Sequence, residues 1–399
     1  MNTSSFACFF PSIPETGAYL DSAAKTLTCR AALEAQSRFY AELDCNVERG
    51  IYTRSAKAEE EVRSAREAVA ALVGVPAERL AFFPSTTAAI NTVALGCPWR
   101  EGQRVVTTNL EHHSNFLPWL ALRRRGVVVD VLQSGPDGYL DPAAMSRAAE
   151  GAALVAFTHA SNVTGAVQDL AGLSRAAAEA GAMVVVDGAQ AMSHAPVDLA
   201  GLPVDAYAFS GHKCFGPTGT GAMYVSERML AILSPPVLGG GSARHSSPEG
   251  FEPVDDPPLK SLEPGTANIA GILGFGAAAA FRAGLDQSRV EGWMDELIRS
   301  FLERLADLRR VTLFGPASAS RRLPVFSIAV EGLSPHVLAL RLDQEFGLMT
   351  RSGTHCAPTL WESLYGRSRG GTRISLHIYN GVEDVDLLAR ALARISGSV

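Results

Sequence analysis

The sequence predicts an α/β protein, with a large domain on a doubly wound, mostly parallel sheet and a smaller α+β C-terminal domain. Three observations carry that expectation. Short apolar runs alternate with helical segments between residues 82 and 224, the pattern of parallel strands joined by crossover helices. One run, Met183-Val-Val-Val-Asp187, is apolar without alternation, as in a strand buried on both faces. The chain has 399 residues, more than one typical core, and its Pro-, Gly-, Ser- and acid-rich stretch at 235–264 reads as an excursion with a boundary soon after it. The domains are drawn as 17–264 for the large one and 1–16 with 265–399 for the small one.

Taken in order, residues 1–16 read as irregular, and Tyr19-Leu-Asp-Ser-Ala-Ala24 as a short strand and turn. Ala31–Tyr40 is expected as a helix, and Asn46–Ser55 is polar and aromatic with no period. Lys57–Val73 puts Val62, Ala65, Val69 and Leu72 on one helical face and stops at Gly74. Phe82-Phe83 reads as a strand running into Ser85-Thr86-Thr87, hydroxyl residues that open a helix. The free N–H groups there form either an anion site suited to a phosphate or an ordinary capped helix. Strands follow at Val105–Asn109, Val127–Leu132 and Leu154–His159, with helices at Asp141–Ala149 and Leu170–Ala180. Arg123-Arg-Arg125 ends a helix, where cations suit the dipole or simply face solvent. Beyond the excursion, Glu263–Asn268 precedes an Ala/Gly-rich helix. A helix near Glu291–Leu308, strands at Val311–Phe314 and Val325–Val330, and a helix from Ser334 with Pro335 at its first position follow.

Composition narrows the class. Hydrophobic residues at 47% and charged residues at 19% describe a soluble globular chain with a large core. A net charge of −6 gives no reason to expect nucleic acid. The six cysteines, at 8, 29, 45, 97, 214 and 356, show neither metal spacing nor a dense disulfide framework. With no signal peptide and no apolar span fit for a bilayer, the expected place is a reducing cytoplasm, without membrane or metal.

The chemistry gathers around Ala206–Tyr224, AYAFSGHKCFGPTGTGAMY. An apolar strand breaks at Ser210-Gly211, presents His212 and Lys213, and enters a glycine-rich loop. Lys213 is poorly placed for a solvated charge. Desolvation lowers an amine's pKa, and a neutral amine is what a Schiff base with an aldehyde cofactor needs. The alternative is a lysine that only bonds loop carbonyls. Upstream, Asp187 ends a buried strand, where open α/β sheets place ligands. A buried carboxylate needs a cationic partner, and a pyridinium nitrogen would serve. The two together describe a pyridoxal phosphate site, although Asp187 alone reads more readily as a helix N-cap in the following loop.

Three loops add to this. In Glu111-His-His-Ser-Asn115, adjacent histidines rarely converge on a metal and no third ligand lies at zinc spacing, so an imidazole stacked on a cofactor ring fits better. Ser161-Asn162-Val-Thr-Gly165 sits at a strand's C-terminal end. In Met349–Pro358, Cys356 lies in a Gly/Thr/His loop where a thiol can be exposed and its thiolate favoured by a cation. Arg373 opens a strand-like run and is able to hold a carboxylate bidentately, or to serve with Arg351 as a salt-bridge partner.

As a set, LDSAA, ERGIYTRS, STTAAIN, EHHSN, SNVTG, VVVDGAQA, SGHKCFGPTGTG, GTANIAG, RSGTHCA and RISLHIYN resemble the fold-type I pyridoxal phosphate enzymes of the class V aminotransferase group. Within it the chain looks like the group II (SUF-type) cysteine desulfurases, which include selenocysteine lyase, from about Tyr19 to Leu392. The resemblance implies that Lys213 carries pyridoxal 5'-phosphate, with Asp187 on its ring nitrogen, Gln190 on its phenolic oxygen and His112 against its ring. Thr86, Thr87, Ser210 and His212 would bind the phosphate, and Thr266 the phosphate of the other subunit of a homodimer. Asn162, Arg351 and Arg373 would hold the substrate, joined by Arg49 from the partner chain. Cys356 would take sulfur from L-cysteine, or act on L-selenocysteine, and pass it to an acceptor protein or small thiol.

The chain departs from the family pattern at Ala88, Cys214, Thr354, Pro358 and His377. The other readings are a different class V enzyme, such as a C–S lyase, aminotransferase or epimerase, and a non-catalytic dimeric binding protein that keeps the fold.

Overall fold

The protein is described by a computed structural model over residues 4–47, 50–194, 197–254 and 258–397. Its central sheet has seven strands, in the spatial order Leu80–Phe83, Gly221–Val225, Ala206–Ser210, Met183–Asp187, Leu154–Thr158, Arg104–Thr108 and Val128–Leu132. From Ala206–Ser210 to Val128–Leu132 every neighbouring pair is parallel; Gly221–Val225 runs antiparallel to both its neighbours. The sheet is therefore mostly parallel, as the alternation of strands and helices predicts.

Successive side chains explain why these strands read as continuous apolar runs. Val184, Val186, Tyr207 and Phe209 enter one buried cluster, while Val185, Ala206 and Ala208 enter another across the sheet. Helices cover both faces, so neither set can be polar. All five parallel strands point their C-terminal ends the same way. Thr158, Asp187 and Ser210 close three of them side by side.

A second sheet of four antiparallel strands has the order Val311–Phe314, Val325–Val330, Gly371–Ser375 and Arg351–Gly353. Phe326 and Ile374 pack there with Phe301 and Leu388 in a separate buried cluster. These clusters cross the boundaries drawn from the sequence. Leu20 and Ala32, within 17–264, join Phe6 in the second cluster, and Leu20 ties to it through Ala18–Tyr19, which pairs with Leu348–Met349. The Ile269–Ala283 helix instead buries Ile272, Phe275 and Ala279 with the central sheet.

Element limits differ where local pattern is silent. The helix expected from Lys57 begins at Thr53, because Ser55 is buried and donates its hydroxyl to the Asn46 carbonyl at 3.0 Å. The first long helix runs Arg30–Arg38 and continues as a π turn to Leu43. Within the excursion lies a hairpin, Ala243–Ser247 with Gly250–Pro253. Its strands are largely exposed, so no apolar alternation announces them.

Candidate active site

The C-terminal ends of the central strands open into a cavity of about 250 Å³, walled on one side by Arg351 and Arg373 of the second sheet. Lys213 reaches it from the end of Ala206–Ser210. There the chain turns tightly, with the Cys214 and Gly216 amides both donating to the Gly211 carbonyl at 2.8 and 2.9 Å. A β-carbon on Gly211 would lie 2.4 Å from the Thr220 hydroxyl, so the turn needs glycine. The Lys213 Nζ has no hydrogen bond or ion pair among the described residues. Burial lowers its pKa, the Asp187 charge opposes that shift, and Arg373 adds to it.

Asp187 is 5% exposed, and its Oδ1 accepts the Ala189 amide at 2.9 Å. Burial raises its pKa against the pull of Lys213. Gln190 donates through Nε2 to the Ala23 carbonyl at 2.8 Å, while its Oε1 is buried without a partner. His112 accepts the Ser114 amide on Nδ1 at 3.1 Å, which leaves its proton on Nε2. Burial, helped by Lys213, pushes that imidazole down to about 3, so it is neutral. The loop presenting it is fixed from below by Glu111, whose carboxylate takes the Thr108 hydroxyl, the Asn115 amide group and the Thr158 N–H. Burial pushes the Glu111 carboxyl up to about 8.

Opposite, the Thr86–Gly96 helix points its N-terminus at the cavity. Ser85 caps it by accepting the Ala88 amide at 3.2 Å, and Ser210 accepts the Thr86 amide at 2.9 Å. Thr87 meets the Ser114 hydroxyl at 2.7 Å. The hydroxyls of Thr86, Thr87 and Ser210, with His212, thus surround a helix terminus that favours an anion.

Cys356 is exposed at the cavity mouth, on a turn in which His355 and Cys356 both take left-handed backbone, φ 53° and 57°. Non-glycine residues rarely do so. Two bonds from the central-sheet side hold them: the Asn162 Nδ2 donates to the His355 carbonyl at 2.8 Å, and the His113 amide to the Cys356 carbonyl at 2.7 Å. His355 itself is buried, with both ring nitrogens unpartnered. Arg373, 3% exposed at its side chain, and Arg351 both pair with Asp21, at 3.0 and 2.8 Å.

The fold therefore gathers Thr86, Thr87, His112, Asn162, Asp187, Gln190, Ser210, His212, Lys213, Arg351, Cys356 and Arg373 around one space. Thr266 is not among them. It is exposed in a separate apolar cavity of about 430 Å³ beside Phe83, Ala88 and Val237. Arg49 lies outside the described residues. Sequence reasoning passed over Asp21, Glu111, His355 and Ser114. Only Ser114, two residues from His112 and beside the hydroxyl-rich helix start, had a local signal. Of the departures from the family pattern, Cys214 and His377 are buried behind the site, His377 stacked on His194 at 4.5 Å.

The probable cysteine desulfurase of Methanothermobacter thermautotrophicus is 36% identical over 382 residues, covering 95% of this chain and 94% of the relative. The apo cysteine desulfurase of Thermococcus onnurineus NA1 has a TM-score of 0.92 at 33% identity, over 96% of both chains. The S-sulfonic acid form of the Escherichia coli cysteine desulfurase CsdA has a TM-score of 0.89 at 32% identity, over 99% of this chain and 98% of its own. Residues 18–388 match the family described as aminotransferase class-V, and the chain belongs to that family.

Proposed function

We propose that the protein is a cysteine desulfurase of the group II kind, which moves the sulfur of L-cysteine onto Cys356 and releases L-alanine. One observation carries the reading: the Cys356 thiol shares a single cavity with Lys213, Asp187 and a buried arginine. The names of the relatives, at 33–37% identity over nearly the whole chain, support it.

The residues fit pyridoxal 5'-phosphate. Buried Gln190 Oε1 has no partner, Lys213 Nζ is unengaged, and an anion-favouring helix end faces the same space. Lys213 would carry the cofactor, Asp187 would hold its ring nitrogen, Gln190 its phenolic oxygen, and His112 would lie against its ring. Thr86, Thr87, Ser210 and His212 would hold its phosphate. When bound, the cofactor supplies an electron sink for the carbanion left by loss of the substrate's α-proton.

The chain's own groups do the rest. Lys213, biased by burial toward the neutral amine, takes and returns that proton at Nζ. Arg373 binds the α-carboxylate, aided by Arg351 and Asn162. The Cys356 thiolate forms an S–S bond with the substrate sulfur as the C–S bond breaks. That bond's electron pair stays with carbon, which takes up a proton and leaves as L-alanine. The persulfide stands on an exposed side chain, which suits transfer to an acceptor protein or small thiol.

A homodimer completes the reading, with Thr266 and Arg49 serving the partner's site. Thr266 shares its cavity with exposed Leu95 and Val237, an apolar surface suited to a second copy. All six cysteines are free thiols, which suits a reducing cytoplasm. The test is alanine release from L-cysteine, with mass spectrometry for an added sulfur on the Cys356 peptide. Light scattering at assay concentration decides the dimer. Turnover of L-cysteine without sulfur on Cys356 would refute the assigned nucleophile.

A further inference from the structure

The two guanidinium groups on the small-sheet side of the cavity are not free; both are held from behind by Asp21. Arg351 meets Asp21 side-on, Nε lying 3.1 and 3.0 Å from the two carboxylate oxygens and Nη2 2.8 Å from Oδ2. Arg373 donates through Nη2 to Asp21 Oδ1 at 3.0 Å and through Nη1 to the Asn162 carbonyl at 3.1 Å. Its Nε is buried and unpartnered. The backbone holds Asp21 in place: the preceding Leu20 donates its N–H to Met349 O at 2.9 Å and accepts the Ser375 N–H at 2.8 Å, and the Asp21 carbonyl accepts the Ala24 N–H at 3.0 Å.

Charge counting shows what this does. Two guanidinium groups and one carboxylate leave a single positive charge, and Lys213 with Asp187, which also line the cavity, add no net charge whether their shared proton sits on the amine or on the carboxyl. One incoming carboxylate is matched, and the unpartnered Arg373 Nε offers it a donor. A second carboxylate on the same ligand would need Arg351, half-exposed at the cavity rim, but Asp21 already fills that guanidinium's paired edge. It would also face Asp21's negative charge.

We propose that Asp21 is a specificity-determining residue: by occupying Arg351 it confines the site to amino acids with one carboxylate and rejects those with two. The proposal rests on the reading above only in taking the ligand to be an amino acid. A purely structural role, as counter-ion to a buried arginine, would affect all ligands alike.

The test is calorimetric titration of the cofactor-loaded enzyme with L-alanine and with L-aspartate, for the wild type, Asp21→Asn and Asp21→Glu. The wild type should bind L-alanine at least about tenfold more tightly than L-aspartate, the worth of one charge-assisted hydrogen bond. Asp21→Asn keeps the shape and removes the charge, so the ratio of the two dissociation constants should move toward L-aspartate by about tenfold or more. Asp21→Glu keeps the charge and should discriminate like the wild type. Because each result is a ratio within one sample, partial unfolding does not imitate it, and melting temperature and visible spectrum check folding and loading. A wild type that binds both ligands equally overturns the proposal, as does an unchanged ratio in Asp21→Asn or an equal shift in Asp21→Glu. If the ratio shifts while L-cysteine yields no alanine, the assigned activity fails and the role of Asp21 stands.

Discussion

Removing the Asn162 side chain is expected to release Cys356 without unfolding the protein. His355 and Cys356 each hold left-handed backbone, which costs about 1–2 kcal/mol in a non-glycine residue. The Asn162 amide and the His113 N–H keep them there, through the carbonyls of His355 and Cys356. Asn162→Ala leaves the His355 carbonyl of a buried residue without its donor, a loss of about 2 kcal/mol. That is comparable with the strain the turn stores, so a relaxed turn competes. At about 1.4 kcal/mol per tenfold, the held geometry loses roughly thirtyfold in population against the relaxed one.

Hydrogen exchange reads this directly, because the His113 amide is protected by the Cys356 carbonyl. Its exchange should quicken by roughly thirtyfold, and alanine formation from L-cysteine should fall by a similar factor. His355→Gly in the Asn162→Ala background removes the strain at that position and should recover part of the protection. Lost activity with unchanged His113 exchange would refute the reasoning and show that Asn162 acts on the substrate alone.

Three further outcomes are expected. Cys356→Ser should keep the cofactor spectrum yet lose more than about a hundredfold in alanine formation from L-cysteine, since a hydroxyl is far the weaker nucleophile; near wild-type alanine output would show that sulfur leaves without Cys356, and no alanine from L-cysteine even in the wild type would favour an aminotransferase or epimerase. That variant should keep activity toward L-selenocysteine, whose selenium leaves more readily without thiol attack. Lys213→Ala should lose the visible absorbance and any borohydride-reducible bond, and a reducible bond that survived would place the cofactor on another amine. Buried His112 and His194 are pushed down to about 3 and His212 to about 4, so the unfolded chain binds more protons in acid. Their contribution is intact above pH 6.5 and lost as pH falls toward 3. His194→Phe keeps the stack on His377 and removes two unpartnered nitrogens. Thermal melts should therefore show a higher melting temperature at pH 5 and a shallower acid slope; an unchanged slope would mean that His194 does not titrate.

Much of the cofactor side of the site was legible because each part is a local pattern. Asp187 ends a run of valines, Lys213 stands between a buried strand and glycines, and Thr86 and Thr87 open a helix after a strand. Parallel-strand topology then obliges those ends to meet, so strand order alone brings them together. The strand signal that failed was the exposed hairpin at 243–253, since period reports the burial of a face and that hairpin buries neither.

The substrate side was decided by tertiary structure. Arg373 and Asp21 are separated by 352 residues, and nothing in the run Leu20-Asp-Ser-Ala distinguishes a guanidinium partner from a turn residue. Neither glycine nor asparagine marks the left-handed turn at His355 and Cys356; Asn162 and the His113 amide stabilise it from another part of the chain. A sequence window carries the propensities of its own residues. The geometry of Cys356 and the charge on the two arginines depend on groups that only folding brings within hydrogen-bond reach.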